Sequence, residues 1–366
     1  MLKRIIIFYS FFLCACPLYA DTLYLKSGKV LEGKIIEKTD KYIKINVYDV
    51  NVTYFYDEIS SVIKDEGQSG EQIVPQPVKT IEKPVKRGIN VTQPLQDKKC
   101  FLWKVKSAQS SVYLLGSLHL TGKELYPLNK KIENAFDTSD FLVVEVNVNA
   151  ADNLETQTLM LAKAMYPNND ALDNHLSKET YTLLKKKLDS LGLDIVEFSK
   201  FKPWYVAIKI TILALLRLGY DPDLGLDSYF LSNVQGHKKI LELESFDFQI
   251  QLFDSFSDKL QELFLVSSII DLDILEKSMN TITSAWLSGD ATAMENILFE
   301  GLQEQPALSP VYERIFYERN EKMASKIESY LKSAGNYFVV VGSGHLIGEH
   351  GIIRLLEHKG FTVEQL

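Results

Sequence analysis

The sequence predicts an α/β (α+β) protein: a mixed central sheet surrounded by many helices, preceded by a small all-β barrel. Three observations predict it. Short alternating strands with turn signals fill residues 21–64, a proline-rich stretch follows at 65–98, and from residue 99 apolar runs of strand length alternate with long segments of helical period. Of the 366 residues, 46% are hydrophobic, enough for one large core and one small one. The net charge of -8, without a stripe of Lys and Arg interleaved with aromatics, argues against a nucleic-acid partner.

Residues 1–20 have the layout of a secretory signal peptide, with Lys3 and Arg4 before the apolar run Ile5 to Leu13. This predicts an extracytoplasmic protein, periplasmic or secreted. Cleavage after Ala20 is favoured over lipidation of Cys16 in a lipobox-like Leu-Cys-Ala-Cys, which would anchor the chain to a membrane. With that cleavage Cys100 is the only thiol left, so no internal disulfide is expected.

In residues 22–64, four runs alternate apolar and polar side chains around turns such as Lys26-Ser-Gly-Lys29, resembling the SH3-like or Sm-like barrels. Nothing in them carries chemistry, and a partner-binding role in the envelope and a purely structural one stand equal. The linker at 65–98, with Pro75, Pro77, Pro84 and Pro94 among polar residues, is expected to be extended.

In the large domain, Phe101–Val105 and Ser111–Leu115 read as a hairpin, Phe141–Asn147 as a buried strand, Lys238–Leu243 as a short one and Tyr337–Val341 as a buried one. Helical spacing marks 151–165, 178–191, 203–218, 258–287 and 310–333. A further helix is expected at 347–358 and a closing strand at 361–364. The 205–218 stretch is apolar on most faces but too short to span a bilayer, so a buried helix is expected.

The chemistry gathers at one repeated phrase. Ser111 to Leu120 ends in Gly116-Ser117-Leu-His119-Leu, and Tyr337 to Leu346 ends in Gly342-Ser343-Gly-His345-Leu, each after an apolar strand. Two strands thus deliver two histidines to the carboxyl ends of a sheet, where ligands of such sheets bind. Glu145 sits inside an apolar run, where a lone carboxylate is costly, so it either pairs with a cation or reaches the histidines. Glu244 ends another strand and is a weaker candidate. Histidines with carboxylates suit a borderline divalent metal that activates water, and hydrolysis is the simplest reaction for it. A serine mechanism ranks below, since no Gly-x-Ser-x-Gly elbow is present.

Gly116-Ser-Leu-His119, Leu142-Val-Val-Glu145, Lys202-Pro-Trp204, Gly225-Leu-Asp227 with Tyr229-Phe230, Ile240 to Glu244, Trp286 with Gly289-Asp290, Arg319-Asn320 and Gly342-Ser-Gly-His345 follow one another in order. This set, over about residues 99–366, resembles the TraB/GumN family, whose animal relatives are the Tiki proteases. The resemblance implies a metal-dependent peptidase fold related to the erythromycin esterase and ChaN-like proteins. It implies His119 and His345 as metal ligands, Glu145 as a ligand or catalytic carboxylate, Arg319 as a stabiliser of the transition state and, less securely, Glu244 as catalytic. Manganese or cobalt is expected ahead of zinc, and a peptide or protein as substrate. A peptide-binding regulator without turnover, like the pheromone-shutdown members of the family, is the alternative, and an envelope interaction protein working through the barrel is a third reading.

Overall fold

The computed structural model describes residues 21–26, 30–47, 50–63, 99–148, 154–234, 238–304 and 306–366. The expected signal peptide and the whole of the expected linker lie outside these residues.

The N-terminal unit consists of β1 (Asp21–Leu25), β2 (Val30–Lys38), β3 (Tyr42–Val47), β4 (Val50–Phe55) and β5 (Ile59–Ile63). They form an antiparallel sheet in the order β4-β3-β2-β1-β5. No pairing joins β4 to β5 among the described residues, so the unit is a five-stranded sheet in which barrel closure is not seen. Leu23, Ile43 and Ile45 share a core with helices of the large domain, and Lys44 lies 3.6 Å from Glu197.

The large domain carries β6 (Leu102–Lys106), β7 (Ser110–Ser117), β8 (Phe141–Val144), β9 (Lys239–Glu242), β10 (Gly335–Gly342) and β11 (Val363–Gln365). Their order is β11-β6-β7-β10-β8-β9. The hairpin β6/β7 and the β11/β6 pair are antiparallel, whereas β7, β10, β8 and β9 run parallel to one another. Burial on both faces explains why β8 and β10 read as unbroken apolar runs. Tyr337 stacks on Tyr330 of the Glu318–Leu331 helix, while Phe338 packs on Phe136 and Phe230 of the Lys130–Asp137 and Leu226–Ser232 helices. Alternate residues of β10 thus face different helices, a distinction that governs the site.

The Pro203–Arg217 helix is buried as its composition predicts, with Lys209 inside, 4.7 Å from the Phe201 ring centre. Two expectations are corrected. The single helix at 258–287 is two, Asp258–Asp271 and Leu275–Ser288, broken at a turn in which the Asp273 N–H donates to the Ile270 carbonyl. No Gly or Pro marks that break. The helix expected at 310–333 is interrupted by a π-helical turn, Glu313–Tyr317, between Ser309–Tyr312 and Glu318–Leu331. Such turns add a residue per turn and concentrate at functional sites. The helices Leu226–Ser232, Phe246–Asp254 and Ala291–Glu304 add to those that the apolar spacing marks.

Candidate active site

The four parallel strands end side by side, and each hands a polar residue to the same edge of the sheet. β7 is followed by His119, β10 by His345, β8 by Glu145 and β9 by Glu244. Glu145 therefore stands just past its strand, not within it as the apolar run suggested.

Register divides the two Gly-Ser-x-His copies. Ser117 pairs with Gly342, so the second copy is staggered by one residue against the first. A one-residue stagger moves a side chain to the opposite face. Ser117 accordingly falls on the face of the Leu226–Ser232 helix, and Ser343 on the face of the Glu318–Leu331 helix. A Cβ on Gly116 would lie 2.9 Å from Ser343 Oγ and 2.4 Å from a ring carbon of Phe101, so only glycine fits there.

His119 meets Asp227, with Nδ1 2.7 Å from Oδ2. The residues around Asp227 are laced to the strand that carries His119. Thr121 and Asp221 exchange backbone hydrogen bonds of 3.3 and 2.9 Å, and Leu226 N–H donates to the Leu118 carbonyl at 3.1 Å. A Cβ on Gly225 would lie 2.1 Å from the His119 carbonyl oxygen, so that glycine is required for the approach. Burial alone would lower the His119 pKa, but the charge and hydrogen bond of Asp227, with the charge of Glu145, raise it to about 9. Its Nε2 is buried and has no hydrogen-bond partner among the described residues.

The other face is centred on Arg319, fully buried. Its Nε donates to Glu244 at 2.9 Å, Nη2 to Glu145 at 2.9 Å and to Glu244 at 2.7 Å, and Nη1 to the Ile315 carbonyl at 2.9 Å, while Nη1 also lies 3.0 Å from His345 Nε2. These contacts occupy all five guanidinium N–H groups. Arg319 thus holds two carboxylates and a histidine together. Glu145 also accepts from Gly342 N–H at 2.5 Å, and its Oε1 lies 3.8 Å from His345 Nε2. Burial pushes the Glu145 carboxyl above its usual range against the pull of Arg319 and His119. Burial, with the charges of Arg319 and His119, holds His345 well below the ordinary histidine range.

The structure thus brings His119, His345, Glu145, Glu244 and Arg319 to one strand edge. The charges of His119, Glu145 and Arg319 act on one another, so the two faces form one electrostatic unit. Gly116, Ser117 and Gly342 lie at the ends of the strands Ser110–Ser117 and Gly335–Gly342, with Ser343 directly after. The sequence assigns Asp227 and Asn320 no role; the signals that carry them are the motifs Gly225-Leu-Asp227 and Arg319-Asn320.

These residues suit a divalent metal in donor type. His119 Nε2 is an orphaned buried nitrogen whose other ring nitrogen is held by a carboxylate, the usual outer-shell arrangement of a metal-ligating histidine. His345 Nε2 and Glu145 are the donors nearest to completing a set. As the side chains stand, no three His, Cys, Asp or Glu groups converge on one point among the described residues, because Arg319 engages both Glu145 and His345.

Residues 101–365 match the model of the TraB/PrgY/gumN family. The chain belongs to that family. Among curated proteins similar to this chain, an uncharacterised protein of Treponema pallidum is 23% identical over 278 residues, 72% of this chain and 82% of its own. The uncharacterised YbaP of Escherichia coli is 24% identical over 245 residues, 67% and 87% of the two chains. Metalloprotease TIKI2 of Danio rerio is 23% identical over 321 residues, 74% of this chain but 61% of that longer one. No solved structure matches the chain. No helix among the described residues is long and apolar enough to cross a membrane.

Proposed function

We propose that the chain is a peptidase that uses a divalent cation, manganese or cobalt ahead of zinc, at the strand edge carrying His119, Glu145 and His345. The observation that carries this reading is the His119 ring, tied through Nδ1 to Asp227 and presenting a buried Nε2 without a partner. The relatives named metalloproteases supply the reaction class. His119 Nε2 and His345 Nε2 would hold the cation, which polarises a carbonyl and acidifies bound water.

The protein's own groups supply the rest. Asp227 fixes the orientation of the His119 ring. Glu145, its carboxyl lifted by burial, is the group suited to accept the proton of a water molecule and pass it to the departing amine. Arg319 offsets the charge of Glu145 and Glu244 and keeps both in place. The signal-like residues 1–20 support action outside the cytoplasm.

The rival reading, a peptide binder without turnover, draws on the closure of the cluster by Arg319. A thermal-shift titration with manganese, cobalt and zinc on residues 21–366, beside His119→Ala and His345→Ala, separates the two. Stabilisation of the parent that both variants lose supports the cation site. Equal response of all three proteins removes it. A screen of unstructured peptides then tests turnover.

A further inference from the structure

The hydrogen bonds around His345 form a chain whose two ends are chemically unambiguous. At one end is the His350 carbonyl, which can only accept; Asn320 faces it at 2.8 Å, so that amide atom is Nδ2. The other amide atom, Oδ1, then lies 2.5 Å from His345 Nδ1 and can only accept, so Nδ1 carries the proton. At the far end is Arg319, which can only donate; its Nη1 lies 3.0 Å from His345 Nε2, so Nε2 carries the lone pair. Both ends require the same tautomer. A doubly protonated ring would set an N–H against the guanidinium N–H.

Asn320 is 1% exposed and His345 fully buried, so water does not stand in for either partner. Asn320 adjoins Arg319 in sequence, and Glu318 alone separates the pair from the π-helical turn. One short segment therefore grips both nitrogens of the ring, one through each residue.

We infer that Asn320 is a positioning residue that locks His345 as the neutral Nδ1–H tautomer and commits its single Nε2 lone pair to Arg319. The second histidine is then an internal acceptor in the resting protein, and its Nε2 can bind a cation only when Arg319 Nη1 withdraws. This deepens the peptidase reading and rests on it only for the meaning of the site, not for the tautomer.

The test is a two-bond proton–nitrogen correlation spectrum of residues 21–366 labelled with ¹⁵N-histidine, near neutral pH and without cation or substrate. His345→Gln assigns the ring. The parent is expected to show His345 with a protonated Nδ1 and a bare Nε2. In Asn320→Leu, where Arg319 alone still holds the ring, both nitrogens should shift part of the way towards the averaged positions of exchanging tautomers, whereas Asn320→Asp, which keeps an acceptor oxygen, should keep the protonated Nδ1. Circular dichroism melts establish that each variant is folded. If Asn320→Leu does not fold, the parent and Asn320→Asp spectra decide. A parent ring protonated at Nε2, a folded Asn320→Leu with the parent's pattern, or an Asn320→Asp that loses the protonated Nδ1 overturns the inference. Failure to bind metal or cleave peptides would instead overturn the proposed function and leave the tautomer standing.

Discussion

The two Gly-Ser-x-His copies are almost the same phrase on adjacent parallel strands, yet they do different work. In the second copy every polar side-chain atom named in the motif is engaged: Ser343 Oγ donates to the Ser117 carbonyl at 2.9 Å, and both nitrogens of His345 have partners. In the first copy Ser117 Oγ and His119 Nε2 are both buried without a partner. The one-residue stagger between β7 and β10 causes this split, since it turns identical motifs to opposite faces and so to different helices. Repetition in sequence marks a shared site without implying shared roles.

The strongest way to break the comparison is to remove each histidine. His119→Ala is expected to lower peptide hydrolysis, assayed with manganese, by about 10²- to 10⁴-fold and, because it leaves buried Asp227 without its partner, to lower the melting temperature as well. An activity loss below tenfold would mean that the first copy is not the working one. Arg319→Met tests the closed face. It leaves Glu145 and Glu244 buried without their counter-charge and should cost on the order of 3–5 kcal/mol in urea unfolding.

Proton competition at His119 gives the next effect. Below its pKa of about 9 a cation must displace a proton, so manganese affinity by calorimetry should rise about tenfold per pH unit and flatten above that value. Asp227→Asn removes what raises the pKa, so the plateau should begin at lower pH, with affinity about 10- to 100-fold weaker. A pH-independent affinity in the parent would exclude His119 as a ligand. The smallest effect concerns the paired serines. Ser343→Ala should lose about 1 kcal/mol in chemical unfolding, while Ser117→Ala, which deletes an unpartnered hydroxyl, should stay within about 0.5 kcal/mol of the parent.

What the sequence made legible follows from what is local. β7 and β10 announce themselves as apolar runs ended by glycine, and the repeated phrase pointed to one edge of one sheet. Glu145 stood out because a carboxylate within Phe141–Asn147 needs a partner. That partner is Arg319, 174 residues away, and no spacing rule connects them. The stagger is equally invisible, because register depends on how two distant strands pair. Asp227 was visible only as part of Gly225-Leu-Asp227; its purpose appears when Gly225 is seen against the His119 carbonyl. The helix break after Asp271 and the π-helical turn carry no Gly or Pro, so periodicity ran through both.

That π-helical turn has a consequence for how this segment can change. A helix is a screw, and one residue more or fewer rotates everything beyond it by about 100°. Arg319 and Asn320 lie immediately beyond Glu313–Tyr317, and both must meet residues delivered by strands that do not rotate with them. Between the Ser309–Tyr312 anchor and the site, the number of residues is therefore more tightly fixed than their identity. Substitutions at exposed Glu313 should pass almost unnoticed, whereas inserting one further residue, which a turn already holding an extra one does not absorb, should re-phase the helix and draw Arg319 away from the carboxylate–histidine cluster.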